Sequence, residues 1–449
     1  MTERTLIRGG HVLSQDDAIG EIANCDVLIT DGVITDVGPG LARGGSIDAE
    51  VLDATGMIVL PGFVDSHRHT WQTAIRGCLP CCTLDGYLGE VIARIGPVYQ
   101  PEDVHASNLL GALEALNAGI TTLFDWSHAN NTPEHADAGI RGLQESGIRA
   151  VYAYGPPAAG DYWGFSPHPQ PQDARRVREQ YFATDDQLLT FALALRGPGM
   201  CTPDVVGQDW ALARELGARI SVHAGQRVTG FKTEMVSELH KAGLLGPDTT
   251  YVHCNDTTEE EWKLIAGSGG TISLSPYVEL LMGHGYPAYG KALAHGLRPT
   301  LSVDVVTSVP GDMFTQMRTA LAAERALSAG DDHDDPFAPT LTHRDVLRAA
   351  TIDGAAACGL GHRTGSLTPG KDADIVLLRA DQINTFPVVD PAATVVVCAD
   401  TSNVDTVLVR GTVQKRNGAL KADVSGAIAL GLQARDRVQT AISALEPAT

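Results

Sequence analysis

Eight short apolar runs, each followed by a stretch whose apolar residues recur at helical spacing, fill the middle of this 449-residue chain. The runs span 57–64, 120–124, 150–154, 188–195, 219–222, 250–252, 270–274 and 300–303. Helical stretches lie between them at 103–118, which Gly119 ends, and at 136–146, 173–183, 205–216, 233–242, 259–266 and 285–294; two more, 315–327 and 343–358, follow the last run. Eight strand–helix units close into one parallel barrel, so the expected class is α/β, a (β/α)8 TIM barrel. In that architecture the active site gathers at the C-terminal ends of the strands.

The two ends of the chain read differently. Before residue 57, short alternating runs (5–7, 26–30 and 33–37) are separated by Gly and Asp turns, with Asp31 and Gly32 at the turn of a hairpin. Similar material returns at 373–378, 393–398 and 404–413, the last with a turn at Gly411. Neither end can close a core alone, so the two are expected to pair into one small β-sandwich. The expected plan is 1–57 as its first part, 58–365 as the barrel, and 366–449 as its second part with a C-terminal helix. Stretch 155–172 reads as an irregular loop near the active site, and 330–339, rich in Asp and Pro, as a solvated surface loop.

A formal net charge of −21 argues against nucleic acid or an anionic membrane as a partner and favours a small molecule. No apolar run approaches the roughly 18 residues of a membrane span, and the first ten residues lack the apolar core of a signal peptide, so a cytoplasmic protein is expected. Eight cysteines fall at irregular spacings, which does not read as a disulfide framework. Cys78, Cys81 and Cys82 resemble half of a zinc knuckle, but no second pair completes it, and a supporting role in the loop after the first strand is the alternative.

Polar residues stand at four of the expected strand ends. His67 and His69 follow the first run at i, i+2, a spacing that turns both imidazoles to one side of an extended strand, where they can hold one metal ion. The fifth run ends in His223, the sixth in His253 and the eighth in Asp304. A lone histidine in such a place is more often structural, but five such groups at one end of one barrel mark a site.

With these motifs in place (PGFVDSHRH at 61–69, SVHAG at 221–225, YVHCN at 251–255, LSVD at 301–304 and TGSLTPGKDAD at 364–374) the chain resembles the amidohydrolase superfamily, in the branch of cytosine and guanine deaminases and triazine hydrolases. The resemblance covers essentially the whole sequence. It implies that His67, His69, His223 and Asp304 hold one divalent metal ion, zinc first with iron as the alternative. It also implies that Asp304 is the general base for a metal-activated water, and that His253 polarises the group under attack. Binuclear relatives carry a bridging lysine after the fourth strand; here Arg196 stands at that end, which points to one metal and leaves Arg196 to bind substrate or to form a structural ion pair. A homo-oligomer, dimer or higher, is implied as well.

One position departs from the deaminase pattern. Those enzymes carry a glutamate three residues past the fifth-strand histidine, and this chain has Gln226, whose amide cannot act as a general acid at neutral pH. Glu234 and Glu238, on the following helical stretch, are the nearest substitutes. Gln72, Trp71 and His128 are further candidates for contact with a flat ring, with loop packing as the alternative. The expected function is hydrolysis of a non-peptide C–N bond of a nitrogen heterocycle, by deamination or by cleavage of a cyclic amide or amidine. Dechlorination or a similar displacement on a triazine-like ring is the alternative, and a non-hydrolytic lyase or a binding protein stands behind both.

Overall fold

A computed structural model describes residues 3–41, 48–226, 234–328 and 341–445, and these form two sheets. Strands β1 (Arg4–Leu13), β2 (Glu21–Thr30), β3 (Val33–Gly38), β4 (Glu50–Asp53) and β5 (Met57–Pro61) come first. Eight strands follow at wider intervals: β6 (Phe63–Arg68), β7 (Ile120–Ser127), β8 (Arg149–Tyr154), β9 (Leu189–Leu195), β10 (Arg219–Ala224), β11 (Thr249–His253), β12 (Thr271–Leu274) and β13 (Thr300–Leu301). The chain closes with β14 (Ile375–Arg379), β15 (Val404–Val409), β16 (Thr412–Arg416) and β17 (Ala419–Leu420).

Strands β6 to β13 pair in sequence order, each parallel to the next. The seam between first and last is joined by backbone: the Asp304 N–H donates to the His67 carbonyl at 3.0 Å, and the His69 N–H to the Asp304 carbonyl at 2.8 Å. Asp65 adds a side-chain tie, accepting from the Val303 N–H at 2.9 Å. Inside the barrel the Ser66 hydroxyl lies 2.8 Å from that of Ser273 and 2.6 Å from that of Thr300, so buried hydroxyls satisfy one another below the mouth.

The terminal strands make one nine-stranded sheet, ordered β17-β16-β15-β14-β5-β1-β2-β3 with β4 beside β1. Its two halves meet where β14 runs antiparallel to β5, Ile375 opposite Pro61 and Arg379 opposite Met57. Ile7, Val27, Val59, Ile375 and Leu408 share one core inside it. The C-terminal helix Val424–Ser443 docks on the barrel helix Pro101–Asn117.

Three sequence expectations shift. The apolar run 57–64 is two strands: Met57–Pro61 pairs with β1 and β14 in the terminal sheet, and Phe63 opens the barrel. Gly62 makes the step, because a Cβ there would lie 2.0 Å from the Thr121 hydroxyl oxygen. The Val-rich stretch 393–398, expected as a strand, is helical: Asp390 accepts from the Ala393 N–H at 3.0 Å, Pro391 opens the turn, and Val395 and Val396 are buried on the helix Met313–Leu327. Cap and packing override the β preference of valine there. Stretch 343–358 is two helices, His343–Ala349 and Ile352–Ala357. Residue 233 and the loop 330–339 lie outside the described residues. Among the described residues no helix is long and apolar enough to cross a membrane.

Candidate active site

Because the barrel strands are parallel, every strand end opens on the same mouth. β6 brings His67 and, one residue past its end, His69; β10 brings His223, β11 His253, and the turn after β13 brings Asp304. Ring centroids lie 4.8 Å apart for His67 and His69, 4.9 Å for His67 and His223, and 5.5 Å for His223 and His253. Asp304 Oδ1 is 3.3 Å from Nε2 of both His67 and His69, and its Oδ2 is 3.7 Å from His253 Nε2. The chain leaves the strand direction sharply at these points: His253 has φ +76° and Asp304 φ +67°, left-handed values that non-glycine residues seldom adopt.

The electrostatics suit a cation. Burial pushes the His67 imidazole down, against the pull of Asp304, and pushes His69 and His223 down together with the neighbouring histidines. Neutral imidazole is the form that binds a metal. Burial alone would raise Asp304, but His67 Nε2 at 3.3 Å and the other histidines around it outweigh burial and keep the carboxylate ionised. Both His67 nitrogens are buried without a hydrogen-bond partner, and ligand atoms of His67, His69 and His223, and of His67, His253 and Asp304, lie within 4.8 Å of one another. Three neutral nitrogens, one of them on the orphaned His67 ring, and one carboxylate fit a divalent ion. His69 Nδ1 donates to the Trp126 carbonyl at 3.0 Å, which turns its Nε2 to the centre.

A cleft opens above these residues. His128 and Gln226 line it; His128 donates from Nδ1 to the Trp126 carbonyl at 3.2 Å. Three other residues expected from sequence as substrate contacts stand outside the cleft lining. Trp71 is buried behind His128, centroids 5.3 Å apart, and against Tyr99. Gln72 is buried and donates to the Tyr87 hydroxyl at 2.5 Å, so it steadies a wall residue. Arg196 points away from the mouth: it donates to the carbonyls of Tyr162 at 2.7 Å and His168 at 2.6 Å and pairs with Asp209, fastening the loop after β8. Glu234 is exposed, and Glu238 faces a separate groove with Phe165 and Cys201. All eight cysteines are free thiols.

Comparison with known proteins adds an independent line. The amidohydrolase family description matches residues 58–413, from the junction at Gly62 through the whole barrel and back into the terminal sheet. The chain belongs to the amidohydrolase family. It is a hydrolase by family, and the relatives that follow include enzymes that act on carbon–nitrogen bonds other than peptide bonds. A 5′-deoxyadenosine deaminase of Methanothermobacter thermautotrophicus is 29% identical over 93% of this chain and 95% of its own length. A 5-methylthioadenosine/S-adenosylhomocysteine deaminase of Desulforamulus reducens is 26% identical over 91% of this chain and 93% of its own. Among solved structures, an adenosine deaminase from Xanthomonas campestris with bound zinc superposes with a TM-score of 0.85 at 24% identity, covering 97% of this chain and 98% of that one. Atrazine chlorohydrolase from Arthrobacter aurescens, complexed with zinc, gives 0.84 at 24% identity over 96% and 100%.

This amidohydrolase carries two site residues that strand-end reasoning misses. Glu279, on the short helix Pro276–Leu281 after β12, is fully buried and accepts from His253 Nδ1 at 3.0 Å, the Ser275 N–H at 2.7 Å and Asn255 Nδ2 at 3.1 Å. Burial alone would lower the His253 pKa; the hydrogen bond to Glu279 and the Asp304 charge outweigh it and raise it. His284 lines the cleft five residues later. Neither follows its strand directly, so only the Ser275-Pro276 helix start and the glycines around His284 could have drawn attention to them.

Proposed function

We propose that this amidohydrolase is a zinc-dependent aminohydrolase that removes an amino group from a small nitrogen heterocycle. The observation that carries it is the convergence of His67, His69, His223 and Asp304 at the barrel mouth, with His253 beside them under a cleft lined by Trp126 and Trp163. The full-length similarity to deaminases of adenosine-type nucleosides supports deamination. The protein is read as a cytoplasmic homo-oligomer.

When bound, the metal supplies Lewis-acid activation of water and of the carbon–nitrogen bond. Asp304, ionised and within reach of both the metal position and His253, accepts the proton from water and passes it to the departing amine. His253, held by Glu279 through Nδ1, presents Nε2 to the reacting group. Trp126 and Trp163 wall the ring, and water is kept out by their bulk.

Gln226 supports a second reading. It lines the cleft where the deaminase pattern has a carboxylate, and displacement of a chloride or alkoxide from a triazine-like ring does not require that acid. An ammonia-coupled screen of zinc-loaded protein against purines, pterins, pyrimidines and triazines tests the first reading. Ammonia from at least one ring supports it. Chloride or alcohol released without ammonia favours the second, and no hydrolysis of any ring sinks both.

A further inference from the structure

His284 has no role in the reaction as drawn, yet its placement is unusually constrained. The turn that carries it, Met282-Gly-His-Gly285, needs glycine on either side: Gly283 has φ +76° and Gly285 φ +127°. The backbone N–H of His284 donates to the Glu279 carbonyl at 2.8 Å, so the residue whose side chain fixes His253 also fixes the turn of His284. The ring stands edge-on to His253, centroids 5.0 Å apart and planes at 89°. His284 is 2% exposed and lines the cleft, and neither of its nitrogens has a hydrogen-bond partner. Burying an imidazole with both nitrogens unmet is costly unless a bound molecule meets them.

The rest of the described lining narrows what that molecule is. Asp304, at the metal end, is its only carboxylate, and no lysine or arginine is among it; Met200, Met282, Leu88 and Ile92 supply much of the surface. Against this described lining, away from the metal end, a charged group would lose its hydration without a counter-charge.

We propose that His284 is a specificity-determining residue that hydrogen-bonds the edge of an uncharged, flat heterocycle, while the apolar lining around it takes the apolar substituents of that ring. The inference rests on the reading of the site as one for nitrogen heterocycles and adds the class: neutral rings, not phosphorylated ones. Neutral imidazole carries an N–H on one nitrogen and a lone pair on the other, so the nitrogen that meets the ring edge either donates to a ring nitrogen or accepts from an amino group. Burial, which pushes His284 down to about 3, keeps it in that neutral form.

Trp126 and Trp163 line the same cleft, so quenching of tryptophan fluorescence on rapid mixing reads occupancy without turnover. The probes are 5′-deoxyadenosine, the alkylated triazine atraton and adenosine 5′-monophosphate, mixed with the full-length zinc-loaded protein. At least one neutral probe binds, with the monophosphate about tenfold weaker or more than 5′-deoxyadenosine. His284→Ala and His284→Phe weaken the neutral probe by about tenfold or more at unchanged zinc content, and His284→Asn, which keeps a donor and an acceptor, recovers part of it. The proposal is overturned if His284→Ala binds within about twofold of wild type, if it loses zinc in step with binding, if the monophosphate binds as well as 5′-deoxyadenosine, or if neither neutral probe binds. Ammonia release is scored separately: rings that bind through His284 but are not hydrolysed refute the reaction and leave this inference standing. Hydrolysis with an unchanged KM in His284→Ala does the reverse.

Discussion

Asp304 sits where three demands meet: its backbone closes the barrel against His67 and His69, its carboxylate faces their Nε2 atoms, and its φ of +67° is one that few side chains hold. Asp304→Asn keeps the shape and removes the base, so kcat is expected to fall by about two to four orders of magnitude, measured on whichever ring the screen identifies. A loss of less than threefold would remove Asp304 from the chemistry. Glu279 acts at one remove. Glu279→Gln turns one of its two acceptor oxygens into a donor against His253, Ser275 and Asn255, and kcat is expected to drop by about 10- to 100-fold with KM little changed. Zinc content should stay at the wild-type level, which separates misaligned His253 from a collapsed site.

At the scale of elements, strand β6 is tied to the helix behind it by charge. Arg68, buried between the two histidines, donates to Glu114 on the helix Pro101–Asn117, and Arg76 donates to the same carboxylate. Burial alone would raise the Glu114 pKa, but the two arginines outweigh it and hold it below the ordinary value. A folded-state pKa below the unfolded one, about 4.3, gives stability that is present above that value and lost as the pH falls through the lower folded one. Glu114→Gln is therefore expected to be less stable than wild type at neutral pH, with the gap shrinking on acidification; urea midpoints at both ends of that window check it. A gap that widens in acid would show the sign to be wrong. Gly62, at the head of the same strand, is limited by space: Gly62→Ala would press a Cβ into Thr121, and a loss of about 1–3 kcal/mol is expected from urea unfolding.

Across the whole molecule, barrel and terminal sheet are bound by a buried charge cluster. Arg149, at the start of β8, donates to Asp374 at 2.6 and 3.0 Å and to Asp372 at 2.8 Å, in the segment that leads into β14. Arg149→Met would leave the buried Asp374 carboxylate without its cation, while Asp372 keeps Arg363 at 2.9 Å, and a loss of about 3–5 kcal/mol in the unfolding free energy is expected, shared by barrel and sheet in one transition. Separate transitions for the two sheets would show that this cluster does not couple them.

Much of this molecule was legible in the order of its residues. Apolar runs alternating with helical spacing were enough for a (β/α)8 barrel, since a run of that kind has few other ways to bury itself, and the terminal strands announced themselves by turns and alternation. Candidate ligands were legible because parallel strands put their ends together, so a chain position next to an apolar run already implied a place at the mouth. Where the fold depended on contacts distant in sequence, the residues were silent. Nothing local in 57–64 says that its first half joins a different sheet from its second; that follows from Thr121 crowding Gly62 and from β14 arriving more than 300 residues later. The valines of 393–398 became helical because a cap and a buried face outweighed their β preference. Arg196, Gln72 and Trp71 stood next to strand ends yet turned to partners behind the cleft lining, since side-chain direction is set by the neighbours that satisfy it. The sequence by itself determined the barrel and the histidines and aspartate at its mouth; only the tertiary structure decided which side chains face the cleft, bringing His284 to it from a turn that no strand end marks and setting Glu279 behind His253 from the helix before that turn.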